Sequence, residues 1–244
     1  MRKGLLIGGI VALCVVAWII SADLRWIRDR FFVPERDLAE IRTRVAPALQ
    51  AELSAHGVEW GAPIFIRIFK EESELEVWLQ NGERFELFKT YPICNFSGGL
   101  GPKLKEGDRQ SPEGFYTVGK SALNPNSNYH LSFNLGFPNF YDQGHGRTGS
   151  FLMVHGKCAS IGCYAMTDAG IEEIYLLAEA ALTAGQSEFP VHAFPFRMTE
   201  DRLAMEEGHD WFPFWSNLKV GHDAFEQAKI PPPVSVKSGK YAFN

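Results

Sequence analysis

The densest run of chemically capable side chains in this sequence is His155-Gly-Lys-Cys158-Ala-Ser160-Ile-Gly162-Cys163. It lies between an apolar segment, residues 151–154, and a stretch that Thr167 would open as a helix. Catalysis by a thiol needs a base within hydrogen-bond reach and backbone N–H groups aimed at the developing oxyanion. A strand end followed by a Gly-Cys turn can supply all three. On this reading Cys163 is the nucleophile, His155 the base, and the amides of Gly162 and Cys163 the oxyanion donors. Ser160 would orient the turn or the substrate, and Gly162 would leave the backbone free to aim its amides. Two other readings of the same run stay open: a structural Cys158–Cys163 bridge, and a metal site made of His155 with both cysteines.

The elements that must hold this run are mainly β. Residues 64–69, 75–79 and 85–88 show β-branched and aromatic alternation around the turn signal Asn81-Gly82, which predicts a hairpin. Residues 95–149 are rich in Gly, Pro and Asn and hold strand-like pieces at 115–118 and 131–135, a pattern of strands joined by long loops. A helix is expected at 168–184, closed by Gly185, then a strand at 188–194, short helices at 199–207 and 211–229, and a terminal hairpin at 234–243. The expected fold class is therefore mainly β with a few helices, preceded by an N-terminal transmembrane helix.

The 244 residues are 45% hydrophobic and 22% charged, enough apolar material for one sizeable core plus an appendage, and too much for a disordered chain. The net charge is −5, yet residues 1–30 carry five Arg or Lys against two Asp, so the remainder is more acidic still and no nucleic-acid partner is expected. Residues 4–22 are uncharged and almost wholly apolar behind Arg2 and Lys3, the pattern of a segment crossing the inner membrane with residues 23–244 outside it. Ile20 stands where a cleavage site wants a small residue, so residues 1–22 read as a retained signal anchor. The expected place is the periplasmic face of that membrane; the alternative is a soluble periplasmic protein after cleavage. Residues 23–60, with Leu38, Ile41, Val45, Leu49 and Leu53 near helical spacing and Pro47 among them, read as a juxtamembrane helical stalk. Residues 61–197 form the catalytic domain, and 198–244 a helical extension ending in a hairpin.

Three motifs in order, Gly98-Gly-Leu-Gly101-Pro-Lys103, Gly107-Asp-Arg-Gln-Ser111-Pro-Glu-Gly114-Phe-Tyr116, and Met153-Val-His155-Gly156 followed by Ser160-Ile-Gly162-Cys163, resemble the L,D-transpeptidase catalytic domain of the YkuD type. The likeness spans about residues 62–197 and is greatest to the YafK-like branch of murein enzymes. It implies a β-sandwich-like fold and a cysteine acyltransferase that works through a thioester on peptidoglycan stem peptides, with no metal or organic cofactor. The branch also implies two alternatives, a hydrolase releasing a murein-linked lipoprotein and a non-catalytic murein-binding module. The usual Ser-His-Gly-Cys is here Ser160-Ile161-Gly162-Cys163, and Ala165 stands where Arg or Asn is common. The family's usual spacing of base and Ser would select His145. The strand-end context of His155 favours His155, with His145 as alternative base or substrate contact. Lys103, Lys105, Arg109, Arg147 and Lys157 surround the motifs on an acidic domain and would suit a substrate bearing carboxylates. Tyr129 and His130 receive no role. In an oxidising compartment a second thiol five places from the nucleophile invites a trapped bridge. Cys94 precedes the Gly-rich loop that the family sets beside the site, so a Cys94–Cys158 disulfide is expected, with Cys163 free.

Overall fold

Strand β1 (Ile64–Phe69) reads Ile-Phe-Ile-Arg-Ile-Phe, and all six side chains are buried. A strand without a wet face must lie inside a sheet covered on both sides. β1 does so: the first sheet has the order β3-β2-β1-β10-β5, formed with β2 (Glu74–Asn81), β3 (Arg84–Pro92), β5 (Gly114–Gly119) and β10 (Glu188–Phe194). β1 and β10 run parallel, and the other neighbours are antiparallel. A second five-stranded sheet has the order β4-β9-β8-β7-β6, from β4 (Asn95–Phe96), β6 (Leu123–Ser127), β7 (His130–Asn134), β8 (Met153–His155) and β9 (Tyr164–Ala165). The computed structural model describes residues 38–243.

Ile64, Ile66 and Ile68 on one face of β1 share a core with Leu131 and Phe133 of β7, Val154 and Tyr164 of the second sheet, and Ile171 and Ile174 of helix α3 (Asp168–Ala184). Burying each such side chain stabilises the fold by about 1.5–3 kcal/mol. α3 has the bounds the sequence predicts. Thr167 Oγ1 accepts the Gly170 amide at 3.0 Å, and Gly185 at φ +122 takes the conformation that ends the helix. The opposite face of the first sheet presents Phe65, Phe69, Phe115 and Phe194. It is covered by α5 (Phe212–Ala228) and by the hairpin of β11 (Val234–Lys237) and β12 (Lys240–Phe243). Arg67 on this face is buried and pairs with Glu76 at 2.8 Å and Glu226 at 2.5 Å, so its charge is compensated on two sides.

Three expectations change. Residues 38–55 are helical, as expected, but do not stand apart as a stalk: they form a single helix, α1 (Leu38–Ala55), running through Pro47, with Ile41, Leu49 and Leu53 in the main core. Its Arg42 pairs with Glu179 and its Arg44 with Glu172, both on α3, so the amphipathic stripe exists to cover that helix. The 198–244 extension, which also contains α4 (Glu200–Ala204), is likewise part of the body, because it roofs the aromatic face. The long tract 95–149 holds β4, β6 and α2 (Phe140–Gly144), elements too short to leave a period in the sequence. The anchor at 1–22 and the start of the stalk lie outside the described residues. Among the described residues no helix is long and apolar enough to cross a membrane.

Candidate active site

β8 and β9 run parallel with Val154 opposite Tyr164 and His155 opposite Ala165, which sets Cys163 beside Met153. The Met153 amide accordingly donates to the Cys163 sulfur at 3.4 Å. Side chains alternate along a strand, so His155 lies on the face of Met153, and His155 and Cys163 line the same cavity of about 280 Å³ with Tyr129 and Phe151. Gly162 sits at φ +120, where an added Cβ would also come within 3.3 Å of Leu152. The turn that delivers the cysteine therefore needs glycine.

The Cys163 carbonyl accepts two hydroxyls, Ser160 Oγ and Ser111 Oγ, each at 2.8 Å. Ser97 supports both: its amide donates to Ser111 Oγ at 3.1 Å, and its hydroxyl lies 2.8 Å from Ser160 Oγ, whose own proton is engaged by the carbonyl. The Gly162 amide donates to Ser160 Oγ at 3.2 Å. In this structure the Gly162 amide thus braces the turn.

His155 is 3% exposed, and its Nδ1 lies 2.6 Å from the Gly156 carbonyl. A carbonyl can only accept, so the proton sits on Nδ1 and Nε2 keeps its lone pair, the state a general base requires. The Tyr129 ring lies over the imidazole at 4.7 Å. Burial lowers the His155 pKa below 6.5, partly offset by the Gly156 carbonyl. Burial also raises the Cys163 thiol above 9.0, opposed by the Met153 amide and the Lys103 charge. Both shifts favour the uncharged forms, a thiol beside a neutral imidazole.

Cys94 and Cys158 form a disulfide with Cα atoms 5.3 Å apart, and among the described residues Cys163 is the free cysteine. With Cys158 so engaged, neither a Cys158–Cys163 bridge nor a metal site using both cysteines is available. The bond clips the 156–162 loop to the start of β4.

The other predicted contacts separate. His145 stacks on Tyr141 at 4.1 Å with Nδ1 on the Tyr141 carbonyl, and it is not on the wall of the Cys163 cavity. Arg147 is buried against Asp142 at 2.8 Å and lies over the Tyr141 and Phe214 rings, so it is structural. Lys103 is buried and bound to Asp108 at 2.5 Å and the Lys105 carbonyl at 2.9 Å, reaching the site only through its charge. Lys157 donates to the Asn128 carbonyl at 2.9 Å and so steadies the turn that carries Tyr129. Arg109 is exposed at φ +55.

Sequence reasoning misses what fixes the loops. Lys70, fully buried, donates to the Gly101 and Ser111 carbonyls and to Glu113, which also takes the Gly101 amide and the Trp215 indole. His130 bonds Glu172, the carboxylate that also holds Arg44. These partners lie far apart in the chain, and no local pattern announces them. The Ser111 motif was a visible signal for the serine network.

Two sheets sharing one core, with a cysteine turn and a strand-end histidine on one cavity, define a β-class thiol site of the L,D-transpeptidase kind. The chain belongs to the L,D-transpeptidase catalytic domain family, YkuD, whose match covers residues 63–191. It is 49% identical over 181 residues to YafK of Escherichia coli strain K12, a curated protein provisionally named an L,D-transpeptidase, covering 74% of each chain. The YafK of Escherichia coli O157:H7 matches equally. Among solved structures, the helical cell shape determining protein Pgp2 (K307A mutant) of Campylobacter jejuni is similar at TM-score 0.45 and 18% identity, over 71% of this chain and 62% of that one. Bd1075 of Bdellovibrio bacteriovorus is similar at TM-score 0.41 and 20% identity, over 68% of this chain and 56% of that one. This chain thus spans less than two thirds of either solved chain.

Proposed function

We propose that this protein is a cysteine acyltransferase acting on peptidoglycan stem peptides at the outer face of the cytoplasmic membrane, tethered there through residues 4–22. The observation that carries the reading is the placement of two groups on one cavity wall: Cys163 beside Met153, and His155 with Nδ1 held by the Gly156 carbonyl. As the Cys163 sulfur attacks the amide carbonyl on the L-centre of the stem's diamino acid, His155 Nε2 takes the thiol proton. The tetrahedral oxyanion meets the Cys163 amide in the turn that Gly162 shapes. Collapse breaks the C–N bond, His155 returns the proton to the leaving amine, and a thioester on Cys163 remains. An amine from a second stem or a protein lysine then completes a transfer, and water completes a hydrolysis.

The test is the full-length chain with purified muropeptides, read by intact-protein and product mass spectrometry with Cys163→Ala as control. The expected result is an acyl adduct on Cys163 that is absent from the alanine variant. Product masses distinguish an amine acceptor from water, the outcome that would mark a lipoprotein-releasing hydrolase. Turnover by Cys163→Ala at the wild-type rate would sink the cysteine mechanism.

A further inference from the structure

Asp168 and Glu172 stand four residues apart at the start of α3 and therefore share one face of it. Each takes hold of a loop beside the site. Asp168 Oδ1 accepts the Lys157 amide at 2.8 Å, and Glu172 Oε1 lies 2.8 Å from His130 Nε2 and 2.7 Å from Arg44 Nη2 of α1. Glu172 is 5% exposed, and a carboxylate so buried must be compensated, which the Arg44 guanidinium does in part. A carboxylate can only accept, so His130 donates to it from Nε2.

His130 begins β7 at φ +69, a left-handed backbone that a residue with a Cβ adopts only where its surroundings impose it. The bond to Glu172 holds it there. Ser127, the last residue of β6, stands opposite His130, so Asn128 and Tyr129 form the tip of a tight turn. That tip is sewn to the base and to the segment after it. The Gly156 amide donates to the Tyr129 carbonyl at 2.9 Å, Lys157 Nζ donates to the Asn128 carbonyl at 2.9 Å, and the Tyr129 ring lies over the His155 imidazole at 4.7 Å. A Cβ on Gly156 would stand 2.9 Å from the His130 Cβ and 2.5 Å from Asp168 Oδ1, so Gly156 is caught between the His130 turn and α3. Its carbonyl is the one 2.6 Å from His155 Nδ1. Where His130 is held therefore decides how that carbonyl meets the imidazole.

We propose that His130, held by Glu172, is a positioning residue for His155: it presses the 128–130 turn against Gly156, so that the Gly156 carbonyl keeps the imidazole in its Nδ1–H tautomer. Its worth to turnover rests on the reading of His155 as the base. Its effect on the ring does not.

The test uses the full-length chain in detergent micelles, labelled with nitrogen-15 in its histidines, at a pH where the imidazoles are neutral. Long-range proton–nitrogen correlation reads the tautomer of each ring, and the signals lost in His155→Ala identify His155. His130→Ala should move those signals from the Nδ1–H pattern toward a mixture of both tautomers and lower kcat on muropeptides roughly tenfold, with KM nearly unchanged. His130→Gln, whose amide can still donate to Glu172, should restore both. Arg44→Ala removes the other partner of the same carboxylate and should leave both as in wild type. Wild-type signals or a wild-type kcat in a folded His130→Ala overturn the proposal, and so does a His130→Gln that restores neither. Equal losses in Arg44→Ala also overturn it, since the effect would then be one of general stability. Should His130→Ala not fold, Glu172→Gln keeps the shape, weakens the bond and takes its place in the comparison. A missing acyl adduct on wild-type Cys163 would overturn the catalytic reading and leave the tautomer result standing.

Discussion

The hydroxyl of Ser111 donates to the carbonyl of Cys163 across 2.8 Å, so a residue 52 positions earlier sets the backbone of this cysteine. Ser111 is itself fixed from behind, since its own carbonyl accepts from the buried Lys70. Ser111→Ala removes one of the two donors on the Cys163 carbonyl and the acceptor of the Ser97 amide. The expected outcome is a kcat roughly tenfold lower with KM nearly unchanged, and a loss of about 1–3 kcal/mol of stability in denaturant unfolding. Wild-type kcat in a variant that is measurably less stable would show that the bond serves folding alone.

The state of the thiol is open to direct measurement. Burial raises the Cys163 pKa above 9.0 and lowers that of His155 below 6.5, directions that both favour the uncharged forms at pH 7. Alkylation by iodoacetamide should therefore be slow at neutral pH and rise with a midpoint above 9. The acid limb of kcat/KM should fall below 6.5, where His155 takes up a proton and ceases to be a base. Rapid alkylation at pH 5 would reveal a thiolate–imidazolium pair and overturn the neutral resting state.

How far the sequence spoke for the molecule depends on whether the cause was local. Helix α3 was legible because its caps Thr167 and Gly185 directly flank its run of buried positions, and the β1–β3 ribbon because alternation and Asn81-Gly82 are neighbours in the chain. The run from His155 to Cys163 was legible because strand, turn and cysteine are contiguous. Arg147 misled because a basic residue near a motif looks the same whether it faces substrate or, as here, stacks on Tyr141 and pairs with Asp142. Helix α1 misled for a related reason: an apolar stripe announces a buried face and does not say which surface buries it. The Lys70–Glu113 pair arises from long-range pairing of strands, which composition and periodicity do not encode.

The two histidines that the family spacing sets in competition should separate cleanly. His155 shares the cavity of Cys163, whereas His145 is stacked on Tyr141 near the terminal hairpin. His155→Ala should cost roughly 10²- to 10⁴-fold in kcat, the usual worth of general-base assistance, while His145→Ala should stay near the wild-type rate. The check is single-turnover acylation of Cys163 by a muropeptide. A dead His145→Ala beside an active His155→Ala would reverse the assignment.

The last prediction concerns His192, a residue outside the chemistry whose burial should govern the acid stability of the fold. It is 1% exposed on β10, with the Phe65 and Phe115 rings each 4.6 Å away, and its Nδ1 has no hydrogen-bond partner. Burial, then the nearby Arg67 charge, then His222, push its pKa from 6.5 down to about 3. The unfolded chain therefore binds a proton near pH 6.5 that the folded chain refuses until about pH 3. Stability linked to His192 is complete above 6.5 and is lost as the pH falls through that window, by at most about 1.4 kcal/mol per pH unit. His222, also lowered chiefly by burial, adds a loss of the same sign. His192→Phe keeps an aromatic ring in the box and removes the titrating group. Urea unfolding of the full-length protein at pH 7 and pH 5 should show wild type losing about 2 kcal/mol more than the variant between the two conditions. Equal losses in the two proteins would place the acid sensitivity elsewhere, with His222 and His155 the next groups to replace.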